Sequence, residues 1–210
     1  MRDPVVLLHG IWMKKLAMAL LAQRLRGCGF RVVHFSYPSL ARTVSDNAVQ
    51  LGTLLASLNT PVIHLVGHSL GGLVILRLLQ DKLDLPPGRV ALLGTPYAGS
   101  HVARGLADHA ATRWLLGKSY DGGLQGNGPS WRGGRELGVI AGSRSLGMGW
   151  LVPGLAKPND GMVAVAETRV PGINAELILP VSHTGMLFST EVAGAVCRFL
   201  HTGQFSQPPR

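Results

Sequence analysis

Six short apolar runs recur along the chain, each bounded by Gly or Pro. They are PVVLLHG (4–10), RVVHFSY (31–37), PVIHLVG (61–67), RVALLG (89–94), LGVIAG (137–142) and AELILPV (175–181). Several are apolar at consecutive rather than alternate positions, which predicts strands covered on both faces of a parallel sheet. Stretches with helical spacing lie between them. Leu16, Leu20 and Leu21 mark a helix over 14–26, and Val44, Ala48, Leu51, Leu55 and Leu58 mark one over 44–58. Further helices are predicted over 70–82, 101–116 and 190–201, the last with Val192, Val196, Phe199 and Leu200 at helical spacing. The alternation predicts an α/β fold: a mostly parallel sheet of about six strands, helices on both faces, right-handed crossovers. The Gly-rich stretch 117–135 reads as a surface loop and 143–159 as a second long connection. One domain, residues 1–203, accounts for the pattern, with 204–210 as a frayed tail.

Composition narrows the picture. A chain of 210 residues with 46% hydrophobic and 15% charged positions is long and apolar enough to fold around one sizeable core. The net charge of +9 raises the question of nucleic acid, but the basic residues are scattered and no finger, helix-turn-helix or RNA-sheet signature appears. Nucleic acid is therefore not an expected partner, and the charge bears on solubility and attraction to anions. No apolar run approaches 18 residues, so no membrane span is expected. The opening MRDPVVLLHG runs straight into a strand without a leader, which makes cytoplasmic the expected location. Cys28 and Cys197 do not make a disulfide framework; both sit in helical patterns and read first as small buried side chains, with a pairing between them left open.

Candidate chemistry begins at HLVGHSLGG (64–72), where a strand becomes a helix. Gly-x-Ser-x-Gly is weak by itself, because Gly and Ser are also turn residues. Here Gly67 closes the strand, Ser69 occupies the bend and Leu70 opens the helix. That is the arrangement of a nucleophile elbow, which lifts a serine into a cleft at the carboxyl ends of the strands. A serine hydroxyl needs a base, and the base an acid behind it, in the chain order Ser, acid, His. Of eight histidines, only His183 follows the last strand at the required distance. Asp160, in KPNDGMV, precedes that strand; the position suits a helix cap, yet its register with Ser69 and His183 favours the acid. Glu136, Glu167 and Glu176 are the neighbouring alternatives. The backbone N–H groups of Ile11, after the HG turn that ends the first strand, and of Leu70 are the candidate oxyanion hole.

Five motifs carry a resemblance: HGI (9–11), GHSLGG (67–72), LGTPYAGS (93–100), NDGMV (159–163) and SHTGMLFS (182–189). In this order they resemble a small bacterial lipase/esterase of the α/β-hydrolase superfamily. The ending around His183 is similar to minimal, lidless Bacillus-type lipases, and GTPYAGS to a stretch of the larger Pseudomonas-type lipases, with Tyr97 where those have His. The resemblance implies an α/β-hydrolase fold with minimal or no lid, and a small-molecule or lipid ester as substrate. It implies no cofactor and no metal, since Thr184, Gly185 and Met186 replace the calcium ligands of the larger relatives. Trp12, Tyr97, Met148, Trp150, Met162 and Leu187 are the candidate substrate pocket, though the apolar loop carrying Met148 and Trp150 equally reads as packing. The expected activity is hydrolysis of short- to medium-chain esters through an acyl-enzyme. Acyl transfer to an alcohol or amine is the alternative, and a non-catalytic binding protein on the same fold the third reading.

Overall fold

Each apolar run becomes a strand: β1 (Pro4–Leu8), β2 (Arg31–Phe35), β3 (His64–His68), β4 (Val90–Leu93), β5 (Leu137–Gly142) and β6 (Ala175–Leu179). The computed structural model describes residues 2–81 and 84–205. The final residue of the helix expected over 70–82 and positions 206–210 of the expected tail lie outside the described residues. The strands form one sheet in the order β2-β1-β3-β4-β5-β6, and every neighbouring pair is parallel.

The consecutive apolar positions are explained by two cores, one on each side of the sheet. Val6, Leu8, Leu65, Val90 and Leu92 face α2 (Val44–Ser57), α3 (Leu70–Asp81) and α4 (His101–Ala107). Val5, Leu7, Val66, Ala91 and Leu93 face α1 (Ala19–Gly27) and α7 (Thr190–Thr202). Each fully buried Leu or Val contributes about 1.5–3 kcal/mol. Helix ends follow local chemistry. Thr43 and Asp46 form a reciprocal cap on α2, and Ser189 caps α7, which Gly203 then closes in a left-handed turn.

Three local expectations change. The helix predicted over 101–116 breaks after α4, because His109 is extended, and resumes as α5 (Ala110–Arg113) and a 3-10 segment (Trp114–Ser119). This break returns Leu116 to the core, and a single turn, α6 (Val165–Thr168), precedes β6. The stretch 117–135 is not purely surface: Tyr120 and Leu124 are buried against α2 and α3 residues of the same cluster. Phe205 is buried and stacks on Phe199 at 4.8 Å, so the chain is anchored to residue 205 rather than frayed from 204.

Cys28 and Cys197 form a disulfide, with Cα atoms 6.2 Å apart across a sequence separation of 169. The sequence left this pairing open, because helical pattern alone does not reveal the reason they meet. α1 and α7 pack side by side on one face, which brings the end of the first helix against the last. Disulfides are rare in reducing compartments, so the crosslink weighs against a cytoplasmic location. Reduction, or Cys197→Ser, is expected to lower unfolding stability by about 2–5 kcal/mol. A urea melt with and without reductant checks this; superimposable curves would mean the thiols are not joined. Among the described residues, no helix is long and apolar enough to cross a membrane.

Candidate active site

The turn between β3 and α3 holds Ser69 at φ +53°, a left-handed conformation that side-chain-bearing residues rarely adopt. Its flanking glycines are required by contact. A Cβ on Gly67 would lie 2.6 Å from the Gly72 nitrogen, and one on Gly71 2.6 Å from the Leu8 carbonyl oxygen. The Ser69 N–H donates to the Leu93 carbonyl at 2.8 Å, which ties the bend to the neighbouring strand. The strained serine thus stands at the carboxyl end of the central strand, where open α/β sheets place their ligands.

Two loops deliver the other candidates. Asp160 is 1% exposed, and its Oδ1 accepts from the N–H groups of Met162 (2.9 Å) and Val163 (2.7 Å). Oδ2 lies 2.7 Å from His183 Nδ1. A carboxylate only accepts, so Nδ1 carries the proton and Nε2 keeps its lone pair. His183 is pinned from both sides: its N–H donates to the Asp160 carbonyl at 2.8 Å, and its carbonyl lies 3.0 Å from His68 Nε2. Ser69 and His183 line one cavity without a hydrogen bond between them among the described residues. Such contacts commonly close only when substrate is bound.

The cavity holds about 200 Å³, below the usual range for drug-sized ligands, and its wall is mostly apolar. Ile11, Trp12, Met148 and Met162 lie on it. Tyr97, Trp150 and Leu187 do not. The Tyr97 hydroxyl accepts from the Trp131 N–H at 3.2 Å, Trp150 is 79% exposed beside the cavity, and Leu187 is fully buried among α7 residues. Sequence reasoning missed Val102 and Leu106 of α4, together with Leu116, Leu124 and Leu146, all on the wall. The helical spacing of Val102 and Leu106 was the available signal; Leu116 and Leu124 arrive through the irregular 114–124 segment, which has no period to read. Leu70 begins α3 directly behind Ser69, as expected. The turn bearing Ile11 has its own support: Tyr37 stacks on His9 at 4.4 Å, and its hydroxyl donates to the His9 carbonyl at 2.6 Å. His9 Nδ1 lies 2.8 Å from the Gly10 carbonyl.

Buried histidines surround the site. Burial, reinforced by the nearby His183, depresses His68 to about 3, and burial depresses His64 to about 4. Both are therefore neutral in the folded protein near pH 7. Between pH 6.5 and these values the unfolded chain binds protons that the native chain cannot, so stability falls as pH falls through that window. The two rings together are expected to make unfolding stability fall progressively as pH drops from 6.5 towards 4. Melts from pH 7 to 4 check this, and a flat profile would contradict the two buried neutral rings.

Comparison with known proteins follows this geometry. The model of the alpha/beta hydrolase family matches residues 5–195. No curated protein sequence matches the chain. Among solved structures, the mature form of Bacillus licheniformis lipase BlEst2 superposes with a TM-score of 0.73 at 21% identity, covering 89% of this chain and 86% of that one. Its propeptide form superposes at 0.78 and 18% identity, with 100% of this chain covered but only 52% of the longer protein. The metagenomic carboxyl esterase MGS0156 gives 0.63 at 18% identity, covering 86% of this chain and 64% of that one. At these identities the superpositions establish the shared fold.

Proposed function

Because the chain belongs to the alpha/beta hydrolase family, we propose that it is a serine carboxylic-ester hydrolase working through Ser69, His183 and Asp160. The observation that carries the reading is the strained Ser69 sharing one cavity with a His183 whose Nδ1 is held by buried Asp160. His183 Nε2 takes the Ser69 proton as Oγ attacks the ester carbonyl. The N–H groups of Leu70 and Ile11 stabilise the oxyanion that forms. Collapse of the intermediate expels the alcohol, which receives the proton from His183 and leaves an acyl group on Ser69. Water, deprotonated by His183, then releases the acid and restores the hydroxyl. The lipase and esterase names of the two superposed proteins support this class of chemistry.

The small apolar cavity favours short- to medium-chain acyl groups. Acyl transfer is a second reading, favoured by one contact. The Trp12 indole N–H donates to the Leu115 carbonyl at 2.6 Å, which holds the ring on the cavity wall, where an apolar group lowers the water available to an acyl-enzyme. A series of para-nitrophenyl esters from acetate to palmitate, run with and without benzyl alcohol, tests both. Turnover is expected to peak at the short to medium esters, with benzyl ester as a minor product. Turnover of palmitate alone would overturn the chain-length reading, and absence of benzyl ester would leave hydrolysis as the whole reaction.

A further inference from the structure

Large apolar side chains are exposed in the loops around the cavity mouth. Trp150 is 79% exposed, Trp114 71% and Leu146 64%, with Leu151, Trp12 and Leu40 also exposed. They fall on two sides of the mouth. Leu146 and Met148 line both the cavity and the groove that holds Trp150. On the other side, Trp12 lines both the cavity and the groove that holds Leu40. The Trp12 indole bonds the Leu115 carbonyl, one residue from Trp114, and the Lys118 N–H donates to the Leu40 carbonyl at 2.9 Å. Scattered exposed leucines need no explanation, but tryptophans and leucines gathered on both sides of one cavity mouth do.

Charge points the same way. Lys14 lines the Leu40 groove, Lys157 lines the Trp150 groove, and Lys15, Arg113 and Lys118 sit beside these groups, all exposed. Asp108 and Asp121 are the carboxylates on the same loops, and Asp46 of α2 stands near Lys118 and Arg42. Asp3 and Glu136 belong to a groove at the opposite end of the strands, before β1 and β5 begin. Tryptophans at the water boundary with cations between them suit one kind of occupant. The rings enter the headgroup layer while the bases meet anionic headgroups.

We propose that this rim docks the protein onto an anionic lipid bilayer, with the cavity mouth facing the headgroups. The proposal concerns binding alone and stands apart from the chemistry at Ser69. The full chain would be sedimented with phosphatidylcholine vesicles and with vesicles containing 30% phosphatidylglycerol (about three lipids in ten, enough to make the surface anionic). Binding is expected to the anionic vesicles only, weakening as salt rises, with a blue shift of tryptophan emission. Trp114→Ala/Trp150→Ala is expected to weaken binding by about tenfold while leaving turnover of a soluble acetate ester unchanged. Lys14→Glu/Lys157→Glu is a second variant, independent of the tryptophans, with the same expected loss. Equal binding to neutral vesicles, or wild-type binding by both variants, overturns the proposal. So does a solution dimer that the tryptophan substitutions dissociate, because the rim would then be an interface between copies.

Discussion

Ser69→Ala is expected to lower ester turnover by about 10⁴-fold or more and to abolish covalent labelling by an organophosphonate. The substitution removes Oγ alone. Among the described residues that oxygen has no hydrogen-bond partner in the protein, so the melt should barely move. Ser69→Gly separates the two demands on this position. A residue with a side chain at φ +53° costs about 1–2 kcal/mol of backbone strain that glycine does not incur. The Gly variant is therefore expected to be equally inactive yet more stable than the parent. Wild-type turnover in a folded Ser69→Ala protein would remove Ser69 from the mechanism and leave only a strained turn.

That pairing of strain with chemistry is also why the elbow was legible in the sequence. Gly67 and Gly71 are demanded by close backbone approaches, and the apolar runs on either side announce a strand and a helix. All six strands follow from apolar runs. Strands β1, β3, β4 and β5 are buried on both faces, which leaves a strong local signal. The edge strands β2 and β6 keep enough apolar positions to be read although they are only partly covered. Signals that depend on tertiary packing were not legible. Cys28 meets Cys197 only because α1 lies against α7, and Tyr97 leaves the cavity because its hydroxyl is taken by the Trp131 N–H. Leu187 shows the same limit. Its position near His183 in sequence says nothing about which side of a 3-10 turn it occupies, and it turns into the core.

The acid of the proposed triad offers the second large effect, because its neighbours dictate what an amide would do. In Asp160→Asn the side-chain oxygen is held by the Met162 and Val163 N–H groups, which must keep an acceptor at the Oδ1 position. The new NH₂ group therefore faces His183 Nδ1, where the carboxylate Oδ2 now lies at 2.7 Å. A donor there forces Nδ1 to accept, so the ring proton moves to Nε2 and no lone pair is left for Ser69. Turnover is expected to drop by about 10⁴-fold with little change in fold, because the hydrogen bonds survive and only the tautomer is inverted. Glu167 is the control. Its Oε1 accepts from the His101 N–H at 2.5 Å and its Oε2 from the Ala164 N–H at 2.8 Å, so both oxygens hold loops rather than the base. Glu167→Gln places a donor against one of these N–H groups and is expected to lose about 1–3 kcal/mol of stability while turnover at low temperature changes little. Steady-state kinetics on both variants, with melts alongside, decide the matter. If Glu167→Gln were the catalytically crippled protein and Asp160→Asn the active one, the acid would be Glu167 and the tautomer argument at Asp160 would fail.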